Sequence, residues 1–433
     1  MRATILLQEL LGLQQTQVQG FEFTETGLVV DVAPRTRSPY CAGCCRRCRR
    51  GYDGRERTWR HVDLGGIRVE LRYEIRRVDC LECGVTTELV PWADHGSWFS
   101  RAFEDQVAFL AQKTDRTAVS TVMRVSWRTV GKIIARVMAR KLPHDLLEGV
   151  TRIGIDELSV RRHHEYITVV TNHDTGKAIW AKPGRNAATV QAFFDELGEE
   201  RAARLELVTL DLSASYIAAV KKGAPQARHV YDRFHVQRLA HDALDQVRRE
   251  QVRELKGTEA ATSLKKTRFA LQKNPWNLEQ SEKQKLAEVK RTNLPLYRAY
   301  LLKESLAAVL DGRQVNVARR KLGEWIDWAQ RSRLEPFCKV GRTLRRHLEG
   351  ILAYVQTGLS NGPHEGLNGK IRTLTRRSYG FHDPRSLIAM VMCSRAGLKV
   401  APRADPLTRR DGFAEDGGSM GVGRIWAEIS DFG

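Results

Sequence analysis

No stretch of this 433-residue chain is long and apolar enough to cross a bilayer, which excludes a membrane-spanning helical protein. The N-terminal MRATILLQELLGLQQ holds only a short, interrupted apolar stretch and no small-residue cleavage site, so the chain reads as cytoplasmic. Internal repeats are absent, which excludes a repeat array. Negative charge is scarce: 51 Asp and Glu stand against 71 Lys and Arg, a formal net charge of +20. That surplus needs a polyanion, and without a basic amphipathic anchor nucleic acid is expected rather than membrane. Cysteine is nearly missing outside one window, since six of the eight lie between Cys41 and Cys83 and only Cys338 and Cys393 stand apart. In a cytoplasmic chain such clustering favours metal over disulfides.

What is present divides by pattern. The length predicts two to four domains. Residues 1–95 hold short β-like runs around the cysteine pairs, and 100–145 have helical periodicity. Over 150–235 the pattern runs strand, strand, strand, helix, strand, helix, strand, which predicts a mixed sheet flanked by helices. Residues 236–356 are helical and highly charged, 357–400 carry the last helices, and 401–433 form a Gly-rich, aperiodic tail expected to be disordered.

The window CAGCCRRC gives Cys41-x2-Cys44, and CLEC gives Cys80-x2-Cys83. Two such knuckles offer four thiolates to one tetrahedral zinc ion, one structural Zn2+ per chain. The overlapping pair Cys45-x2-Cys48 leaves the ligand choice open, with Cys41 and Cys44 preferred. Reduced structural cysteines are the plainer alternative. Arg46, Arg47, Arg49 and Arg50 would put a basic tip beside the metal, suited to DNA or RNA, although a small fold stapled by its metal would look the same.

The segment AVSTVMRVSWRTVGKIIARVMARK reads as a short helix, a turn and a longer helix, with FEDQVAFLAQK as a supporting helix before them. Val119, Val122 and Met123 would pack against Val130, Ile133, Ile134 and Val137, and Ser126 would cap the second helix. That helix would expose Arg128, Thr129, Lys132 and Arg136 to a major groove.

Asp156 in RIGIDELSV sits in a strand with an apolar centre, and Asp211 in LELVTLDLS ends another. A single aspartate at a strand end is often only a cap. Further along, SNGPHEGLNGKIRTLTRR places Glu365 among cations on a predicted amphipathic helix. At about 100° per residue, Leu367, Ile371 and Leu374 share one face, and Glu365, Asn368, Arg372 and Arg376 share the other, with Lys370 nearby. Three carboxylates can hold two Mg2+ ions, with Mn2+ a possible substitute, for in-line attack on a phosphodiester while the cations grip phosphate. Among rival acids, Glu157 should point to the opposite strand face from Asp156, and Asp174 reads as part of a hairpin turn. Asp232, in VYDRFHV, ends a strand and, with His235, is expected to support the metal ligands. Asn368 is expected in the same supporting role.

With these motifs together, the chain resembles the DDE transposases of the bacterial insertion-sequence family called ISL-three, from about residue 5 to about 400. The resemblance rests on CxxC…CxxC, GIDE, TLDLSASY, VYDRFHV, LPLYRAYLLKE and SNGPHEGLNGKIRTLTRRSYGF in that order. It implies a multidomain α/β fold: a zinc ribbon, a helix-turn-helix and an RNase H-like sheet domain interrupted by an all-α insertion. Asp156, Asp211 and Glu365 align with the family's catalytic triad. The implied activity is Mg2+-dependent cleavage at the ends of a mobile element and transfer of the freed 3′-OH to target DNA. The partners implied are double-stranded DNA, as terminal inverted repeats and as target, and at least a second copy of the chain on DNA. Rival readings are a zinc-ribbon and helix-turn-helix regulator without chemistry, an RNase H-like nuclease, and a transposase that has lost activity.

Overall fold

The computed structural model describes residues 3–48, 51–161, 165–359, 366, 369, 371–373 and 384–400. The chain forms two compact units, one from Met1–Leu146 with the chain from Arg372 on, the other from Leu147–Ile371. Among the described residues no helix is long and apolar enough to cross a membrane.

The first unit opens with helix α1 (Ala3–Leu11), then β1 (Thr16–Thr24), β2 (Gly27–Pro34), β3 (Gly51–Leu64), β4 (Ile67–Cys80) and β5 (Gly84–Thr87). These strands form a sheet in the order β1-β2-β4-β3, with β5 against β4. Alternation along β4 sends Val69, Leu71 and Ile75 into a core with Val30, Trp59 and Trp92. The N-terminus, read from sequence as part of a β region, begins with a helix because Leu7 and Leu11, one turn apart, cover that core.

Helices α2 (Arg101–Lys113), α3 (Arg116–Met123) and α4 (Trp127–Lys141) follow. Each has an oxygen-bearing cap: Ser100, Asp115 and Ser126 accept the N–H groups of Phe103, Ala118 and Thr129. The turn between α3 and α4 is made at Arg124, whose left-handed backbone (φ 52°) lets its N–H reach the Ser120 and Thr121 carbonyls.

In the second unit come β6 (Arg152–Arg161), β7 (Glu165–Asn172), β8 (Lys177–Pro183), α5 (Ala187–Leu197), α6 (Glu199–Ala202), β9 (Leu207–Leu210), α7 (Ala214–Gly223) and β10 (Arg228–Tyr231). The sheet order is β10-β9-β6-β7-β8, an RNase H-like arrangement. Strands β10, β9 and β6 run parallel, while β7 and β8 are antiparallel additions. The parallel strand β9 is buried throughout, which is why LVTL reads as a continuous apolar run.

An all-helical stretch follows: α8 (Arg233–Glu254), α9 (Glu259–Lys265), α10 (Arg268–Gln272), α11 (Gln280–Thr292), α12 (Leu294–Leu310), α13 (Val315–Arg331), α14 (Glu335–Arg346) and α15 (Leu348–Thr357). Helix α12 packs along α8, and α15 returns to β10. There Gly350 is obligatory, since a Cβ would stand 2.4 Å from the Tyr231 ring. Lys303 of α12 is buried and donates to the carbonyls of Leu271 (3.0 Å) and Lys273 (3.2 Å), closing the C-terminal end of α10.

Helix α16 (Pro384–Arg395), placed by its position in the sequence among the last catalytic helices, packs on α2 and α4 of the first unit. Gln112 donates to the carbonyls of Cys393 (2.9 Å) and Leu398 (3.1 Å) to tie it down.

Candidate active site

Strand register aligns the acids. Arg152, Ile153 and Gly154 of β6 pair with Leu207, Val208 and Thr209 of β9, so two residues on Asp156 stands opposite Asp211. Arg228–Tyr231 of β10 pair with Leu207–Leu210, and the Asp232 N–H still donates to the Leu210 carbonyl at 3.4 Å, which sets Asp232 opposite Asp211 as well. Continuing that register, Asp156 within β6 and Asp211 and Asp232 just past the ends of β9 and β10 fall in one row at the C-terminal ends of the parallel strands, where open α/β sheets take ligands.

Local hydrogen bonds orient the row. Asp156 Oδ1 accepts the Glu157 N–H at 2.8 Å, and Asp211 Oδ1 accepts the Ser213 N–H at 3.0 Å at the entrance to α7. Asp232 is only 1% exposed, with its Oδ2 3.3 Å from His235 Nδ1. The Asp232 carboxylate, and then the charges of Asp156 and Asp211, raise the His235 imidazole above its ordinary value against the effect of burial.

Glu157 pairs across the sheet with Thr168, whose hydroxyl lies 2.8 Å from the Tyr216 hydroxyl of α7. Strand alternation thus puts Glu157 on the α7 face and Asp156 on the other, as the sequence predicts. Glu157 still senses the row: burial and then the Asp211 charge push its carboxyl up, while Arg185 pulls it down. Burial, with the charges of Glu157, Asp211 and Asp156, also pushes the Tyr216 hydroxyl up to about 12. Sequence reading missed Arg185, whose guanidinium lies 3.9 Å over the Tyr166 ring. Carboxylates on neighbouring strands, about 5 Å apart, repel by roughly 3 kcal/mol at an effective dielectric near 20. A divalent cation would offset that repulsion, and hard oxygen donors suit Mg2+ or Mn2+.

Glu365, Asn368, Lys370 and Arg376 lie outside the described residues. Nearby, Ile371 is buried and Arg372 exposed, the amphipathic split expected of that segment.

In the first unit, the thiol sulfurs of Cys41, Cys44, Cys80 and Cys83 all lie within 4.8 Å of one another. A tetrahedral zinc with 2.3 Å bonds sets its sulfurs about 3.8 Å apart, so this donor set fits the ion. The Gly43 N–H donates to Cys41 Sγ at 3.3 Å, and the Cys83 and Glu82 backbone N–H groups bring the Cys80 thiol down to about 6. Cys45 is exposed at a left-handed backbone position, and buried Cys48 donates to the Arg46 carbonyl at 3.7 Å. Arg46 pairs with Glu82 at 2.6 Å, and Arg47 donates to Ser38 at 2.7 Å.

On α4, Arg128 and Lys132 are exposed beside half-buried Thr129 at the N-terminal end. Arg136 turns inward instead, donating through Nε to the fully buried Glu104 at 2.7 Å. Arg140 joins the same cluster, held by Glu104, Asp94 and Asp105.

Three family models match in the same order as these parts. Residues 37–83 match a zinc-finger of transposases IS204, IS1001, IS1096 and IS1165, and 88–138 match a helix-turn-helix domain of transposase family ISL3. Residues 153–391, more than half of the chain, match the DDE transposase model of that family. The chain belongs to the ISL3 family of transposases. It is 40% identical over 430 residues to the transposase for insertion sequence element IS1557 of Mycobacterium tuberculosis, covering 92% of this chain and 96% of the relative. To the transposase for IS1001 of Bordetella parapertussis it is 27% identical over 384 residues, covering 87% and 95%. This ISL3 transposase is thus an insertion-sequence enzyme of the polynucleotidyl-transferase class, with a DNA-binding helix-turn-helix and a zinc ribbon.

Proposed function

We propose that Asp156, Asp211 and Glu365 hold two divalent ions, Mg2+ by preference and Mn2+ as a substitute, and that this transposase cleaves and joins DNA there. The alignment of Asp156 and Asp211 across β6 and β9 carries the reading. When bound, the ions supply activation of the attacking oxygen and stabilisation of the leaving oxygen in an in-line displacement. The residues of the chain do the rest. Asp156 within β6 and Asp211 directly after β9, each fixed by a neighbouring N–H group, present their oxygens from the sheet. Buried Asp232 holds His235 beside the row, and Asn368 is the further supporting group. Lys370, Arg372 and Arg376 hold phosphates next to Glu365.

The N-terminal modules recognise terminal inverted repeats in duplex DNA. Arg128, Thr129 and Lys132 of α4 contact the major groove, while the zinc site of Cys41, Cys44, Cys80 and Cys83 sets the basic Arg46 and Arg47 tip. Arg136 belongs to the support of α4 by virtue of its bond to Glu104. Two element ends must be held together, which requires at least two copies of the chain on DNA, acting in the cytoplasm.

The test is a labelled duplex ending in the element's inverted repeat, incubated with Mg2+ or EDTA. Mg2+-dependent nicking at the repeat end, lost in Asp156→Asn and Glu365→Gln while DNA binding persists, is the expected outcome. Specific binding without cleavage by the wild type would instead indicate a regulator or an inactive transposase.

A further inference from the structure

Helix α8 starts immediately after Asp232 and leads away from the aspartate row. Phe234, Gln237, Arg238 and His241, spaced i, i+3, i+4 and i+7, share one face of it. They line an open cleft of about 450 Å3, closed on its other side by residues at the end of α10 and the short 3-10 turn Pro275–Asn277, including Lys273 and Asn277. Three aromatic rings around this region are exposed: Phe234 by 47%, Phe269 by 71% and Trp276, within the 3-10 turn, by 75%. Rings grouped about one cleft, unlike singly scattered ones, point to a binding surface.

Arg238 is weakly engaged, 3.9 Å from Asp242 in a well-exposed pair, and such a pair contributes little and exchanges readily for phosphate. Lys273 is held by both oxygens of Glu282, at 2.7 and 2.9 Å. Burial and the Lys303 charge hold the His241 imidazole below its ordinary value. About four turns further along α8, Arg249, Val252 and Arg253 line a second cleft with Lys256 and Lys265.

Basic side chains alone suit a duplex as well as a single strand. Exposed rings do not, because the base faces of a closed duplex are stacked on one another, whereas an unpaired base offers its face to a ring. We propose that this face of α8, with the 275–277 turn, is a groove for unpaired DNA, in which Phe234 and Trp276 stack on bases and Arg238 holds a phosphate. From Phe234 to His241 the helix rises about 10 Å, the length of roughly three nucleotide steps. The occupant is a strand opened beside the cleavage site, and in this respect the inference rests on the proposed DNA chemistry.

The experiment uses the full-length chain without added Mg2+ and follows the anisotropy of two fluorescein-labelled probes, a twelve-nucleotide oligothymidine and a 20-base-pair duplex of random sequence. Stacking energies per base predict that Phe234→Ala and Trp276→Ala each weaken oligothymidine binding by about 5- to 160-fold, with a smaller loss for the duplex. Phe234→Tyr and Trp276→Phe should restore most of the affinity, which separates stacking from misfolding. Unchanged oligothymidine binding in the double alanine variant, an equal loss for both probes, or failure of the aromatic replacements to restore binding would each overturn the groove. Asp156→Asn serves as the independent arm: it should bind oligothymidine normally while losing cleavage, so failure of the chemistry and failure of the groove are read separately.

Discussion

Replacing Glu104 by Ala should loosen the helix-turn-helix without touching its DNA-facing side. Glu104 is 0% exposed on α2, and its Oε1 accepts from Ser97 Oγ and Arg136 Nε, both at 2.7 Å. Its Oε2 lies 3.1 Å from Arg140 Nη1. Removing one partner of a buried ion pair costs about 3–5 kcal/mol. Here the lower end applies, because Arg136 can turn to water and Arg140 keeps Asp94 and Asp105. About 3 kcal/mol corresponds to a roughly 150-fold loss of amide protection. Hydrogen exchange followed by mass spectrometry on the full chain should show that loss in peptides from 101–141 and not in those from 207–231. Glu104→Gln, which keeps the Ser97 bond, should lose only about 1 kcal/mol. A loss of protection below about threefold in Glu104→Ala, or an equal loss in both regions, would refute the reasoning that this cluster fastens α4 to α2.

The same cluster predicts a pH dependence. Burial alone would raise the Asp94 carboxyl, but Arg140 and Arg101 outweigh it and hold the group below its ordinary value of 3.8, so its stabilisation is complete above that pH and disappears as pH falls through the lowered value; protection of 101–141 should therefore drop only below about pH 4. For the cysteine cluster, metal analysis of purified protein should give one zinc per chain, lost in Cys41→Ser and Cys80→Ser and retained in Cys45→Ser, whose side chain is exposed. On α4, Arg128→Ala and Lys132→Ala should each weaken duplex binding and reduce the slope of log affinity against log salt by about 1. Arg136→Ala should leave that slope unchanged and reduce the protection of α4 instead.

How far the fold could be read from the residues differs by level. The succession of strands and helices from Arg152 to Tyr231 was legible, because period-two and apolar runs alternate with helical periodicity. The helix-turn-helix was legible for the same reason, down to the Ser126 cap, although Val122, expected in its core, is 63% exposed. Strand register was not, since apolar runs such as LVTL fit any neighbour, so the common row of Asp156, Asp211 and Asp232 emerges only from pairing. Arg136 looked like a groove contact because helix periodicity gives its face but not the buried Glu104 waiting on α2. Helix α1 was missed because a single pair, Leu7 and Leu11, carries its amphipathic signal. The packing of α16 on α2 and α4 joins residues far apart in the chain, which local pattern does not encode.

Exchange of a hard for a soft ligand at Asp211 tests the central claim most directly. Asp211→Cys puts a thiolate into the row opposite Asp156, where it would bind Mg2+ poorly and Mn2+ far better. Cleavage of the inverted-repeat duplex by this variant should be lost in Mg2+ and largely recovered in Mn2+, with Asp211→Ala inactive in both. Equal activity of Asp211→Cys in the two metals, whether high or absent, would contradict direct metal binding by Asp211.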